Sequence, residues 1–261
     1  MIIQEQNNNF VMIRQHTHAI ISEQMTRNLK KELLPDDDWQ RSVFYAIKMH
    51  DVGWRNFDAE PLWNDEKQSP YSFIDYPNRI KTVLYKHGID EVAKEDLYAG
   101  LLCSKHYVHF LGSESSPEAT QFVENEKNRQ QSIQDKLGVD DELVTFHFDL
   151  LRFADNLSLF LCLNKPGAGK EESHYFFKNG IRLPRRFEKQ FGERLHLEWF
   201  DKQTIVSGKS LFQESFTLSI PFKKVAKDII AEQGVRVSYQ EAVEEKFRVK
   251  VEGSGDANLV R

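Results

Sequence analysis

The stretch Met49-His50-Asp51-Val52-Gly53-Trp54 decides how the fold is interpreted, because a histidine–aspartate pair at a helix end is hard to explain by packing alone. The preceding segment, Trp39 to Met49, has apolar residues at helical spacing, and His50 continues the buried face. Gly53 then allows a sharp exit from the helix. An imidazole and a carboxylate at the end of an apolar stripe need a partner for their polarity, and a bound cation is one such partner.

The composition indicates a globular protein with a sizeable core, since 40% of the 261 residues are hydrophobic and 12% are aromatic. A net charge of −5 without a basic stripe argues against a nucleic-acid polymer as partner. Cys103 and Cys162 lie in apolar helical runs, which is typical of a reducing compartment. The first residues lack a signal-peptide pattern, and no apolar run approaches the ~20 residues that span a bilayer. We therefore predict a cytoplasmic protein without a membrane partner, and we leave open whether it forms a homo-oligomer.

Further ionisable side chains lie on the inward stripes of other predicted helices. His18 lies on the apolar stripe of a helix predicted from about residue 16 to 34. His106 lies on an apolar stripe of a later helix and forms a His-x-x-His pair with His109, which spacing does not place on an inward stripe. Asp155 lies within the most apolar helix, predicted from residue 140 to about 163. A single buried histidine is best explained as a satisfied core residue.

Taken together, these side chains favour a metal site, because burying several unpaired ionisable groups would otherwise be costly. The candidate ligands are His18, His50, Asp51, His106, His109 and Asp155. Mixed imidazole and carboxylate ligands suit Mn, Fe, Zn or Ni. We therefore predict a divalent transition metal as cofactor, with one or two ions.

The long aromatic loop 54–76 comes directly after the turn that contains two of these candidate ligands, His50 and Asp51. We predict that Trp54, Phe57 and Trp63 line a substrate pocket over the metal. The alternative for Trp54 is that it only fills the core beneath the loop.

The pattern changes from helical to strand-like after Asn164. Residues 195–200, 204–206, 216–220 and 247–251 are predicted strands, and residues 10–14 are either a short strand or the approach to a helix. We therefore predict a mainly α fold, a helical bundle with a small C-terminal antiparallel β appendage. The predicted domains are 1–165 and 166–261, and the tail from Gly253 is predicted to fray.

Four of the candidate ligands resemble the pattern of the HD-domain superfamily of metal-dependent phosphohydrolases: a histidine, a later His-Asp pair and a distant aspartate, here His18, His50-Asp51 and Asp155. Four runs more closely resemble an uncharacterised bacterial family of HD-like proteins, named only as a domain of unknown function. These runs are Gln15-x-x-His18-Ala19, His50-Asp51-x-Gly53-Trp54, Ser104-x-His106 and Asp155-x-Leu157-Ser158-Leu159. The closer resemblance spans most of residues 10–165 and is expected to include the C-terminal part.

The resemblance implies an HD-like helical bundle in which His18, His50, Asp51 and Asp155 ligate one metal ion. With two ions, Asp51 would bridge and His106 and His109 would serve the second. The implied activity is hydrolysis of a phosphoester, nucleotide-like or other, in a small phosphorylated substrate by metal-activated water. The catalytic candidates are Asp51, Lys105 and Arg152. Lys105 and Arg152 would offset the negative charge of the phosphate, and the alternative for either cation is a solvated position on the surface. Two alternatives stay open: an HD-type di-iron oxygenase, or a non-catalytic ligand-binding protein on the same scaffold.

Overall fold

The computed structural model describes residues 1–253, which contain ten α-helices and ten β-strands. The helices are α1 (Gln15–Arg27), α2 (Gln40–Met49), α3 (Arg55–Ala59), α4 (Asn78–Glu95), α5 (Leu97–Leu111), α6 (Pro117–Leu137), α7 (Asp141–Leu163), α8 (Arg185–Phe191), α9 (Lys227–Gln233) and α10 (Val235–Glu241). The strands are β1 (Ile2–Gln6), β2 (Asn9–Ile13), β3 (Trp63–Asn64), β4 (Ser69–Pro70), β5 (Ile181–Arg182), β6 (Arg194–Leu195), β7 (Leu197–Trp199), β8 (Thr204–Ser207), β9 (Phe216–Ala226) and β10 (Glu244–Val251). The predicted fraying after Gly253 lies outside the described residues.

The central helix of the molecule is α7, whose side chains are mostly buried. Asp140 caps its start by accepting hydrogen bonds from the backbone N–H groups of Glu142 and Leu143 at 2.8 and 3.1 Å. Helices α1, α2 and α5 pack against α7, and α4 and α6 pack on the outer side of α5. Within residues 1–253, no helix combines the length and the apolar character needed to cross a membrane.

The turn after α2 is held by a close backbone approach between two glycines. A Cβ atom on Gly88 would lie 2.9 Å from the backbone nitrogen of Gly53, closer than real Cβ atoms come. Gly53 is not in a left-handed conformation, so its role is this close contact with α4 and not conformational freedom. Gly88 likewise lies inside α4, which continues to Glu95.

The predicted fold class is wrong, because the β structure is a major part of the molecule and the fold is α+β. A six-stranded mixed sheet has the order β1-β2-β9-β10-β8-β7, and only the pairing of β8 with β10 is parallel. The N-terminal hairpin β1–β2 belongs to this sheet, so the sheet is no C-terminal appendage. The strand pattern of β1 is hidden because a buried position is polar: Gln4 donates from Nε2 to the carbonyl oxygens of Cys162 and Asn164, at 2.7 and 3.2 Å.

Strand β9 is also longer than predicted, since it continues through Pro221 to Ala226. Strand β2 pairs with β9 only from Lys223 onward, so Pro221 has a strand partner on one side only. Proline is tolerated at such edge-like positions because no hydrogen-bond donor is required there. The sheet contains strands from both predicted domains, and the division at residue 165 stays a prediction.

Candidate metal centre

Five buried side chains from four segments converge on one point beside α7. They are His18 on α1, His50 and Asp51 at the end of α2, His106 on α5 and Asp155 on α7, and none is more than 5% exposed. They form two overlapping groups able to hold a metal ion, His18–His50–Asp51 and His50–His106–Asp155, with the ligand atoms of each group within 4.8 Å of one another. His50 belongs to both groups and is therefore the centre of the arrangement.

His50 has one ring nitrogen fixed by the backbone and the other without a partner. Its Nδ1 atom donates a hydrogen bond to the carbonyl oxygen of Ile47 at 2.7 Å. Its Nε2 atom is buried without a hydrogen-bond partner, 3.5 Å from Asp155 Oδ1 and 3.8 Å from Asp51 Oδ2. A backbone carbonyl that accepts from one nitrogen leaves the lone pair of a neutral imidazole on the other, which is the arrangement found in metal-binding histidines.

His18 is oriented from both sides of its ring. Its Nε2 atom lies 2.8 Å from Asp51 Oδ2, and its Nδ1 atom lies 2.8 Å from the hydroxyl oxygen of Ser158. That hydroxyl also hydrogen bonds to Ser22 at 2.7 Å, so the serine pair ties α7 to α1 beneath the imidazole. The ring is thus held with Nε2 directed at the carboxylates.

His106 completes the second group. Its Nε2 atom lies 3.9 Å from Asp155 Oδ2, and its Nδ1 atom is buried without a hydrogen-bond partner. The imidazole centroids of His18 and His106 lie 5.1 and 4.9 Å from that of His50. A buried nitrogen without a partner is costly, and a cation between these imidazoles and carboxylates would satisfy the Nε2 atom of His50. The mixed nitrogen and oxygen donor set fits Mn, Fe, Zn or Ni.

Tyr107, which follows His106 on α5, contacts both residues of the His50-Asp51 pair. The hydroxyl of Tyr107 donates to the carbonyl oxygen of His50 and lies 3.3 Å from Asp51 Oδ1. The ring of Tyr85 stacks on that of Tyr107 with centroids 4.0 Å apart. These contacts fix the carboxylate of Asp51 from the side opposite His18.

The electrostatics of the cluster favour ionised carboxylates. Burial opposes charge on His50, but Asp51 and Asp155 outweigh burial and raise the pKa of His50 to about 9. Without a metal ion this imidazole therefore carries a proton, which a bound ion would displace. Burial likewise opposes charge on Asp51 and Asp155, yet the surrounding imidazoles lower the pKa of both. Burial lowers the pKa of His106 to about 3, so this imidazole is neutral. Ionised carboxylates and neutral imidazole are the forms that bind a metal ion.

A cavity of about 230 Å³ opens above the cluster. Its walls are mostly apolar, with a few polar groups; the lining residues other than the histidines and aspartates are Gln15, Trp54, Phe73, Ile74, Lys81, Tyr85, Phe110, Asn156, Leu159 and Phe176. A larger cavity of about 270 Å³ lies beside Trp199, but none of the five clustered residues lines it. The smaller cavity is therefore the candidate site.

The three predicted pocket aromatics occupy different places. Trp54 lines the cavity, is 1% exposed and packs edge-on against Tyr76 and Tyr85, so it both lines the pocket and fills the core. Phe57 packs against Tyr76 behind it, outside the cavity lining. Trp63 lies in β3 and packs against Phe10, 6.1 Å between centroids, away from the cavity.

Three predicted site residues lie outside the centre: the two predicted catalytic cations, Lys105 and Arg152, and the predicted ligand His109. Lys105 is half-buried on α5 and lies outside the cavity lining, and Arg152 lines a separate depression. His109 is exposed, outside both ligand groups, with its ring against Phe148. It fails to join them because residues three apart on a helix diverge by about 60°, enough to turn His109 toward solvent when His106 faces inward.

Lys81 and Gln15 are among the cavity residues that sequence reasoning missed. Lys81 lines the wall, where its Nζ donates to the carbonyl oxygen of Ile74 at 3.0 Å and burial lowers its pKa. The side-chain oxygen of Gln15 is buried without a hydrogen-bond partner. Lys81 carries no signal in the sequence, because it lies on an ordinary amphipathic helix; Gln15 is visible only as part of the run Gln15-x-x-His18.

Comparison with known proteins identifies a family and nothing finer. No curated protein and no solved structure matches the chain significantly. The family model described as "Protein of unknown function (DUF3891)" matches residues 1–227, which include every residue of the candidate centre. Since the match covers most of the sequence, the chain belongs to the DUF3891 family.

Proposed function

We propose that the protein is a metal-dependent hydrolase that cleaves a phosphoester bond in a small phosphorylated substrate, using one or two transition-metal ions. The observation that carries the proposal is the unpartnered Nε2 atom of His50, which lies beside two carboxylates, Asp51 and Asp155, that line a cavity. The resemblance of His18, His50-Asp51 and Asp155 to the HD-domain pattern supports the same activity. The match to the DUF3891 family is compatible with it and adds no activity of its own.

The two overlapping ligand groups define which residues would hold metal. His18, His50 and Asp51 would hold one ion, and His106 and Asp155 would serve a second, with His50 between them. An ion of this class, when bound, polarises a phosphoryl oxygen and lowers the pKa of water. Tyr107 and Ser158 are positioning residues, because they fix Asp51 and His18 without reaching the cavity lining.

The cavity wall supplies the substrate contacts. Lys81 is the cation best placed to attract a phosphate and offset its charge, a role predicted earlier for Lys105 and Arg152. Trp54, Phe110 and Leu159 provide an apolar surface for the remainder of the substrate and limit access of water. A small phosphorylated compound with an apolar or planar part suits such a wall.

The experiment that tests the proposal is a hydrolysis panel. Protein loaded with Mn, Fe, Zn or Ni should hydrolyse at least one phosphomonoester or phosphodiester, and Asp155→Asn should reduce the rate to background. Lys105→Gln is the matched control, since Lys105 lies outside the cavity lining, and it should keep the wild-type rate. Equal rates in wild type and Asp155→Asn, or no hydrolysis by any metal-loaded form, would contradict the proposal. Oxygen consumption by the iron-loaded protein without hydrolysis would favour the oxygenase alternative.

A further inference from the structure

A small basic depression adjoins the cavity along α7. It has a volume of about 70 Å³ and is lined by Asp149, Arg152, Asn156, Arg182, Leu183 and Arg185. We call the surface formed by Arg152, Arg182 and Arg185 the arginine depression. Two of its cations come from the segment that contains β5 and the start of α8, and the third comes from α7 itself.

The arginine depression has more positive than negative charge. Among residues 1–253, Arg152 and Arg185 form no ion pair, and Arg182 has only a 4.0 Å contact to Glu188. Asp149 is the single carboxylate in the lining, and Glu188 contacts Arg182 from outside it. Three guanidinium groups therefore face two carboxylates. Like charges held together in this way favour binding of an anion, and guanidinium groups bind phosphate and carboxylate through paired hydrogen bonds.

The depression and the metal cavity share a wall. Asn156 lines both, and its Nδ2 atom donates to the carbonyl oxygen of Arg152 at 2.7 Å, which holds the side chain in place. Arg152 precedes Asp155 by three residues on α7, a rise of about 4.5 Å along the helix. An anion in the depression therefore lies within the length of one small molecule from the metal centre.

The size of the depression limits what it can hold. About 70 Å³ is several times the ~10–15 Å³ that one water molecule needs by the same measure. One phosphate or carboxylate group fits this space, and a whole second ligand of nucleotide size does not.

We propose that the arginine depression is an anion subsite for a second charged group of the substrate, so that the substrate carries two anionic groups: the reacting phosphoester at the metal centre and a phosphate or carboxylate on Arg152, Arg182 and Arg185. The assignment of the first group rests on the proposed function. The subsite itself rests on the arginine cluster and on the shared wall at Asn156.

The test compares two non-hydrolysable ligands, propane-1,3-bisphosphonate and propylphosphonate, by calorimetric titration of metal-loaded protein. The bisphosphonate should bind at least about tenfold more tightly, since it reaches both sites. Arg182→Gln and Arg185→Gln should each remove most of that advantage and leave the monophosphonate affinity unchanged. Lys189→Gln, an exposed charge loss on the same helix α8, is the control and should change neither. Equal affinity of the two ligands for wild type, or a bisphosphonate advantage that survives both arginine substitutions, would overturn the subsite.

A second arm separates this proposal from the proposed function. In Asp155→Asn, without metal, inorganic phosphate should still bind weakly and Arg185→Gln should abolish that binding. Phosphate binding of this kind without any bisphosphonate advantage in wild type would indicate a site for free phosphate and would overturn the two-anion substrate. A retained bisphosphonate advantage with no hydrolysis of any tested ester would support the subsite and count against the hydrolase.

Discussion

The Nε2 atom of His50 lies 3.5 Å from the Oδ1 atom of Asp155, both buried, a separation longer than the ~2.7–3.2 Å of an ordinary N–H···O hydrogen bond. Two ligands about 2.0–2.2 Å from one tetrahedral metal ion are themselves about 3.3–3.6 Å apart. The pair therefore has the spacing of two metal ligands and not that of a hydrogen-bonded pair. Because His50 ends α2 and Asp155 lies within α7, this spacing depends on the packing between those helices.

Tyr107→Phe should weaken metal binding more than it weakens the fold. The substitution removes the hydroxyl that contacts the His50 carbonyl and Asp51 Oδ1, leaving the ring stacked on Tyr85. We expect about a tenfold or greater loss of metal affinity, with a loss of about 1 kcal/mol in the free energy of unfolding. Competition with a chromophoric chelator measures the affinity. Tyr175→Phe, an exposed tyrosine, should change neither quantity, and wild-type affinity in Tyr107→Phe would refute the positioning role.

Gln15→Leu should leave the ligand-free protein at least as stable as wild type while weakening phosphonate binding. The buried amide oxygen of Gln15 has no partner, and such a group costs about 1–3 kcal/mol, so an apolar side chain of similar volume removes that cost. Thermal unfolding and calorimetry with propylphosphonate measure the two effects. Clear destabilisation with unchanged binding would show that Gln15 is a structural residue.

Gly88→Ala should destabilise the protein although alanine is the better helix former. In an open helix the substitution would stabilise by about 1 kcal/mol. Here the new Cβ atom would meet the backbone nitrogen of Gly53 at 2.9 Å, and overpacking of this kind costs about 1–3 kcal/mol. The melting temperature should fall, and metal affinity should fall with it because the turn carrying His50 and Asp51 must move. A melting temperature above that of wild type would show that the two backbones are free to separate.

His147→Gln should make the fold less sensitive to acid. His147 is fully buried; Tyr98 donates to its Nδ1 at 2.6 Å, and its Nε2 lies 3.1 Å from Asp37 Oδ2. Burial lowers the pKa of His147 despite Asp37, so the unfolded chain takes up the proton first and stability falls as the pH drops below about 6.5.

Glutamine can accept from Tyr98 and donate to Asp37 without titrating. The difference in unfolding free energy between pH 7.5 and 5.5, measured in chelator, should be smaller in His147→Gln than in wild type. The same difference in both proteins would show that His147 does not contribute to acid sensitivity.

The sequence predicted the side chains that meet at the centre better than it predicted the fold. Helical spacing placed His18, His106 and Asp155 on inward faces, and the structure brings them to His50 and Asp51. This worked because a buried ionisable group on an apolar stripe is rare and visible locally. The same spacing did not place His109 on an inward face, and it was a candidate ligand only through its His-x-x-His pairing with His106. The structure leaves His109 exposed.

The sheet could not be predicted because its signals are not local. Gln4 breaks the apolar alternation of β1, and its partners are carbonyl oxygens at the far end of α7. The predicted strand 216–220 ends just before Pro221, whereas β9 continues through this proline, which is tolerated because β2 stops short of it. Lys81 was missed for the same reason, since its place on the cavity wall depends on how α4 packs and not on its own sequence.

Metal analysis of protein purified without chelator tests the central claim most directly. Wild type should contain about one or two transition-metal ions per chain, bound by the groups His18–His50–Asp51 and His50–His106–Asp155. Asp155→Asn should lose that metal while keeping its helical circular dichroism, and His109→Gln, on the exposed side of α5, should keep it. Full metal content in Asp155→Asn, or a metal-free wild type that takes up none of Mn, Fe, Zn or Ni on reconstitution, would contradict the account.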